Sequence, residues 1–173
     1  MKDLNMVFAG FGGQGVLFAG KVVAYAGLIE GRELSWLPSY GPEMRGATAN
    51  CSVCLSDEAI GSPPNVLVAM NRPSLEKFVN EVEPGGVILL DSSLIDVQVE
   101  RDDVTTYYVP ASTLAEENGL KGLANIILVG KLFKEVGFCS EETLDKALQK
   151  CIPARKASML DFNRKAIEIG RAQ

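Results

Sequence analysis

The sequence predicts an α/β domain, and three observations carry that expectation. The apolar run Leu4–Ala9 enters a glycine-rich turn, Gly10-Phe-Gly12-Gly13-Gln14-Gly15, and an apolar, helix-compatible segment follows from Val16 to Ile29. Two further short runs, Val66–Met70 and Val87–Leu90, are continuously apolar, as suits strands of a parallel sheet covered on both faces. Beyond Pro110 the β-branched and aromatic character gives way to helical spacing as far as Gln173. Together they describe a three-layer α/β/α domain with a mainly parallel, Rossmann-like sheet, room for one antiparallel hairpin, and a helical C-terminal third.

The first unit is a strand over about Leu4–Ala9, the glycine turn, and a helix from about Gly15 to Glu30, with Gly31 placed to cap its carboxyl end. A second strand is expected over Arg32–Leu37, stopped by Pro38. A polar, turn-rich loop, Ser39–Gly46, comes next. Ala47–Leu55 alternates in strand fashion, and with the brief apolar return at Ala59-Ile60 it suits the antiparallel hairpin. After Val66–Met70, Pro73 fits the first turn of a helix over about Ser74–Val82. Val87–Leu90 leads to Asp91, read as a cap, and Thr105–Val109 is a strand closed by Pro110.

Helices follow over about Ser112–Asn118 and Leu123–Val136, although Ile126–Val129 alone reads equally well as a strand. Gly137 ends the second of these. Ser140 is placed to cap a third, with Glu141 and Glu142 in its first turn and Lys146 and Lys150 later, the order the helix dipole prefers. After Pro153 a last helix carries Met159, Phe162, Ala166 and Ile169 on one stripe, expected in a core or a subunit contact. No repeat, linker or low-complexity segment divides residues 1–173, so a single domain is expected.

Composition narrows the function classes. Hydrophobic residues make up 47 % and charged residues 23 %, ordinary for a globular chain. A net charge of −5 with no basic run argues against nucleic acid as a partner. No stretch approaches the roughly 18 uninterrupted apolar residues of a membrane span, and the start of the chain lacks a signal pattern, so a cytoplasmic location is expected. Histidine is absent, which removes Ser-His-Asp, Cys-His and H-E-x-x-H chemistry. Of the four cysteines, Cys51 and Cys54 have C-x-x-C spacing but lie on a strand, where their thiols face opposite ways. All four are read as small core residues, and no metal site is expected.

Candidate site residues fall in three places. Gly10, Gly12, Gly13, Gln14 and Gly15 form a turn whose backbone can approach an anion at the helix N-terminus behind it. The same turn also makes sense as a device for packing that helix closely on its strand. The acidic residue that binds a ribose at the end of a second strand is missing, and no Gly-Lys-Ser/Thr closes the turn, so a resident dinucleotide or nucleoside triphosphate is not expected. The second place is the loop containing Tyr40, Gly41, Glu43, Arg45 and Gly46, a site of function or a solvated turn. The third is Asn71, just beyond a strand's carboxyl end, which suits a ligand contact or a helix cap.

Read together and in order, Gly10-Phe-Gly-Gly-Gln-Gly15, Pro38-Ser-Tyr-Gly-Pro-Glu-Met-Arg-Gly46, Ala49-Asn-Cys51, Ile60-Gly-Ser-Pro63 and Asn71-Arg-Pro-Ser74 resemble the gamma subunit of 2-oxoacid:ferredoxin oxidoreductases, a domain of the pyruvate/ketoisovalerate oxidoreductase type. The resemblance covers nearly the whole chain. The Tyr40–Gly46 loop is most similar to the 2-oxoglutarate (alpha-ketoglutarate) branch, with Ala47 standing where a second glycine is expected. Pyruvate, branched-chain and indolepyruvate versions stay open.

The resemblance implies a subunit of an enzyme that decarboxylates a 2-oxoacid on thiamine diphosphate and magnesium, reduces ferredoxin through 4Fe-4S clusters, and forms an acyl-CoA. It implies alpha, beta and, in some assemblies, delta partner subunits. This chain carries neither a Gly-Asp-Gly thiamine motif nor a C-x-x-C-x-x-C-x-x-x-C-P run, so those cofactors are expected on partners, with none tightly bound here and CoA arriving as co-substrate. Arg45 is then a candidate to pair with a substrate carboxylate, a CoA phosphate or a partner's acid, Gly12, Gly13 and Gly15 to face an anion, and Tyr40 and Glu43 to order their loop. A homodimer of the isolated chain is also open. Two rival readings remain: a self-contained nucleotide- or flavin-binding oxidoreductase, and a purely structural subunit.

Overall fold

A computed structural model describes residues 3–39, 48–56 and 63–173. The strands are β1 (Leu4–Phe11), β2 (Glu33–Ser39), β3 (Thr48–Ser56), β4 (Val66–Ala69), β5 (Val87–Asp91) and β6 (Thr105–Val109). The helices are α1 (Val16–Ile29), α2 (Arg72–Phe78), α3 (Ala111–Glu117), α4 (Ala124–Val136), α5 (Glu141–Cys151) and α6 (Met159–Arg171), with a 3-10 turn at Ala154–Lys156. One six-stranded sheet runs in the order β2-β3-β1-β4-β5-β6. β1, β4, β5 and β6 are parallel neighbours, and β3 is antiparallel to both β1 and β2.

Alternation along the strands sorts side chains into two cores. Met6, Phe8, Cys51, Val53, Leu55, Val66, Val68 and Leu89 join one core with residues of α1, α3, α4, α5 and α6. Val7, Ala9, Leu67, Ala69, Ile88 and Leu90 join the other with Leu75, Phe78 and Val82 of α2 and its following turn, and with Ile95. The three-layer architecture is therefore lopsided among the described residues: five helices on one face, α2 and the segment after β5 on the other.

α4 resolves the ambiguity of Ile126–Val129. It is a helix buried almost all round, because α1, α3, β5 and α6 all pack on it. Its contact with α6 is backbone-close: a Cβ on Gly130 would meet the Ile167 carbonyl, and one on Gly170 the Ile127 carbonyl. The buried face of α6 is Asn163, Ala166, Ile167 and Gly170; of the expected stripe Ala166 lies in it, whereas Phe162 is 46 % exposed, which leaves that side chain out of the core. A stripe chosen by hydrophobicity missed that this crossing selects for small residues.

Two strand expectations also need correction. β2 does not stop at Pro38 but continues to Ser39, with Pro38 opposite Cys51. It lies at the edge of the sheet, where a residue without an N–H is tolerated. The antiparallel addition pairs β3 with β2 and β1, so both edges of β3 are taken; Ala59-Ile60 lies outside the described residues. Helix α2 begins two residues earlier than expected, because Asn71 supplies its cap. No described helix is long and apolar enough to cross a membrane.

Candidate functional site

β1 and β4 are adjacent and parallel, yet the helices that follow them leave to opposite faces, α1 into the larger core and α2 into the smaller. The carboxyl ends of such a strand pair form a switch point, where open α/β sheets place ligands. The glycine turn sits there. Gln14 N–H donates to the Phe11 carbonyl at 3.2 Å, and Ala19 N–H donates to the Gly15 carbonyl at 3.0 Å to open α1. Gly15, at φ 74°, is the N-cap. A side chain there would be strained by the left-handed backbone and would also strike the Asn125 amide. Asn125 Nδ2 instead donates to the Gly15 carbonyl at 3.0 Å, tying the first turn of α4 to that of α1.

The Gln14 side chain crosses between the two strand ends. Its Oε1 accepts Phe11 N–H at 2.6 Å and Asn71 Nδ2 at 3.5 Å, while its Nε2 donates to the Met70 carbonyl at 3.0 Å. Gly10 permits this, since a Cβ there would lie 2.6 Å from Gln14 Oε1 and 3.1 Å from Met70 Cβ. Asn71 is 3 % exposed, and its Oδ1 accepts Ser74 N–H at 2.8 Å, the capping alternative left open in the sequence. Asp91 likewise accepts from Ser93 and Ser112 backbone N–H groups and from the Ser112 hydroxyl, holding the start of α3 against the end of β5.

Beside this turn opens a cavity of about 590 Å³. Gly13, Gln14 and Met70 form one wall, and Ser112, Glu116 and Lys121 with the start of α4 form the other. Its chemistry is mixed: backbone N–H groups at a helix start, the exposed Lys121 ammonium, the exposed Glu116 carboxylate, one hydroxyl and a small apolar floor. Ser112 and Lys121 were not singled out in the sequence. The one local signal was Lys121 between Gly119 and Gly122 in a loop joining two helices. A second groove of about 500 Å³, between α5 and α6, pairs much of its charge internally: Arg164 binds Asp145 at 2.6 Å, and Arg171 binds Glu141 and Glu168 at 3.0 Å.

Of the candidate residues, the structure brings together Gly10, Gly12, Gly13, Gln14, Gly15 and Asn71. Tyr40, Gly41, Glu43, Arg45 and Gly46 lie outside the described residues. The strand ends that flank them do bear on the site: Thr48 pairs with Phe11, and Ser39 pairs with Asn50, itself opposite Ala9. The cysteines are free. Burial pushes the Cys51 and Cys151 thiols up to about 11 and the Cys139 thiol to about 12. Cys54, on the opposite face of β3 from Cys51, donates to Asn5 Oδ1 at 3.0 Å. Among the described residues no group of three or more metal-ligating side chains stands together.

Fold and site define an open α/β domain with a candidate ligand cavity at the switch point of its sheet. The chain belongs to the pyruvate ferredoxin/flavodoxin oxidoreductase family, whose model matches residues 5–173. It is 38 % identical to the ketoisovalerate oxidoreductase subunit VorA of Methanothermobacter marburgensis over 98 % of its own length but 36 % of that protein's, so it spans about a third of that relative. It is 33 % identical to the 2-oxoglutarate synthase subunit KorC of Methanocaldococcus jannaschii, covering 94 % of this chain and 91 % of that one.

Solved structures agree. The gamma subunit of a keto/oxoacid ferredoxin oxidoreductase from Geobacter sulfurreducens superposes with a TM-score of 0.83 at 29 % identity, over 96 % of this chain and 95 % of that one. The 2-oxoglutarate:ferredoxin oxidoreductase of Magnetococcus marinus, solved with 2-oxoglutarate, coenzyme A and succinyl-CoA bound, gives 0.86 at 27 % identity, over 99 % of this chain and 31 % of that one. The α/β fold with its helical C-terminal region is that of these subunits, and the reading as a self-contained flavin or nucleotide enzyme gains no support from them.

Proposed function

We propose that this chain is the gamma subunit of a 2-oxoacid:ferredoxin oxidoreductase, with 2-oxoglutarate as the oxoacid. Partner alpha and beta subunits, with a delta subunit in some assemblies, carry thiamine diphosphate, magnesium and the 4Fe-4S clusters. The complex passes electrons to ferredoxin and forms an acyl-CoA in the cytoplasm. The observation that carries this reading is the end-to-end correspondence with subunit KorC, 94 % of one chain against 91 % of the other. A second oxoacid, ketoisovalerate, is favoured by the higher identity, 38 %, to VorA.

The chain's own part is to complete the assembly and to hold the phosphate end of CoA. The glycine turn offers backbone N–H groups at the start of α1, and Lys121 sets an ammonium across the same cavity. Ser112, whose hydroxyl proton goes to Asp91, lines the wall without a donor for the phosphate. Arg45 and its loop, rooted at Ser39 and Thr48, serve the oxoacid or a partner's acid.

The test is to tag this chain in its native cell, purify what accompanies it, and assay CoA-dependent viologen reduction with 2-oxoglutarate, pyruvate, 2-oxoisovalerate and indolepyruvate. Thiamine- and cluster-bearing partners with activity on 2-oxoglutarate are expected. A chain eluting alone with a bound flavin or nucleotide would overturn the reading.

A further inference from the structure

We infer that Gln14 is a positioning and specificity residue: its amide occupies the gap between the ends of β1 and β4, fixes the glycine turn from behind, and, among the described residues, leaves the turn open on the α3–α4 side. The function above treats the turn as an anion seat; the side chain at its centre has a different task. Both polar atoms of the amide are committed inside the protein, Oε1 to Phe11 N–H and Asn71 Nδ2, Nε2 to the Met70 carbonyl. Phe11 is the last residue of β1, and Met70 is the first after β4. The amide therefore lies across the crossing that a dinucleotide's pyrophosphate uses when it spans a switch point.

Two neighbours reinforce the assignment. Gly10 leaves the space that Gln14 Oε1 and Val16 fill, since a Cβ there would lie 2.6 and 2.9 Å from them. Asn71 donates to Gln14 with one end of its amide and caps α2 with the other, so the network runs without a break from the β1 turn to the start of α2. Such a network fixes its members more firmly than separate pairs do. The turn is held open toward Gly13 and the cavity and closed toward the strand ends. The geometry thus admits a ligand by one phosphorylated end and shuts out a dinucleotide laid across the sheet, a distinction that the glycine spacing by itself does not make.

The part of this inference that concerns CoA rests on the proposed function; the part that concerns Gln14 as a clamp does not. Both are tested with Gln14→Ala and Gln14→Glu. In the full chain, amide exchange at Phe11 is expected to speed up by ~10-fold in Gln14→Ala, as for loss of one hydrogen bond. In Gln14→Glu the carboxyl keeps an oxygen to accept Phe11 N–H, and only the donor bond to the Met70 carbonyl is lost on ionisation, so protection at Phe11 should be retained where Gln14→Ala loses it. In the assembled complex, Gln14→Ala is expected to raise KM for CoA by ~10-fold, with KM for the oxoacid and kcat within about twofold. Titration with NAD or FAD should give no binding to the wild-type chain, and binding of either would overturn the exclusion of a dinucleotide.

Unchanged exchange at Phe11 in Gln14→Ala overturns the clamp. Altered exchange with unchanged KM for CoA keeps the clamp and overturns the CoA-seating role. Equal losses in every kinetic parameter would make Gln14 a residue of general stability only, against the inference. If CoA perturbs no amide of Gly12–Gly15 in the wild-type complex, the proposed seat fails while the exchange result still decides the clamp.

Discussion

Asn125 and Gly15 are separated by 110 residues, yet the Asn125 amide donates to the Gly15 carbonyl at 3.0 Å where the first turns of α4 and α1 meet. Asn125 is 4 % exposed, and the bond fixes which way round its amide lies. One wall of the cavity belongs to each helix start, so this pair sets the cavity's width. Asn125→Ala is expected to cost about 1–2 kcal/mol in urea unfolding, the usual loss for a buried neutral hydrogen bond. Asn125→Asp should cost more, because an ionised oxygen would then face a carbonyl that it cannot bond. An Asp variant as stable as wild type would contradict this geometry.

The α4–α6 crossing gives a second prediction. With Gly130 against the Ile167 carbonyl and Gly170 against the Ile127 carbonyl, neither neighbour is a flexible side chain that can move aside. Gly130→Ala and Gly170→Ala should each destabilise by about 2–3 kcal/mol, as overpacking against backbone does, even though alanine is the better helix former. Chemical denaturation of both variants checks this. A stabilising alanine would mean that the helices are further apart than described.

These cases mark what the residues could tell in advance. The strand–turn–helix at Leu4–Ile29 and the Ser140 cap, with Thr143 N–H donating to its hydroxyl at 3.2 Å, were legible because such signals act over a few neighbouring residues. Pro38 misled because its meaning depends on whether the strand is an edge, which only the sheet order decides. Phe162 misled because a stripe was read by hydrophobicity, while the partner helix required small residues. The Gln14–Met70 and Asn125–Gly15 bonds, and with them Lys121 opposite the glycine turn, join segments 56 or more residues apart, and no spacing rule reaches that far.

Cysteine reactivity gives a third. Burial lifts the Cys51 and Cys151 thiols to about 11, and burial with Glu30 nearby lifts Cys139 to about 12. At pH 8 the thiolate of a group near 11 is about one part in a thousand, and thiolate is the reactive form. Iodoacetamide should leave all three largely unlabelled in the native chain and label them promptly in denaturant, read by peptide mass spectrometry. Fast native labelling of Cys51 would reveal that β3 opens locally, a motion its central place between β1 and β2 does not favour.

The last prediction concerns Glu30, which joins the end of α1 to the start of α5. Ser140 N–H donates to its Oε1 at 2.9 Å. That backbone bond first, then Thr143, holds its carboxyl below its ordinary value of 4.5. A group whose folded value is depressed adds stability that is fully present above the unfolded value and is lost as pH falls through the folded one. Glu30 should therefore stabilise the chain at neutral pH and lose that contribution progressively as the pH falls below about 4.5. Because the side chain is exposed, solvent screens the effect and its size is small. Glu30→Gln keeps an acceptor for Ser140 but removes the titration. Unfolding free energies of wild type and Glu30→Gln should differ most above pH 5 and converge as the pH is lowered toward 3. Parallel curves across that range would show that the carboxylate charge has no part in holding α5 against α1.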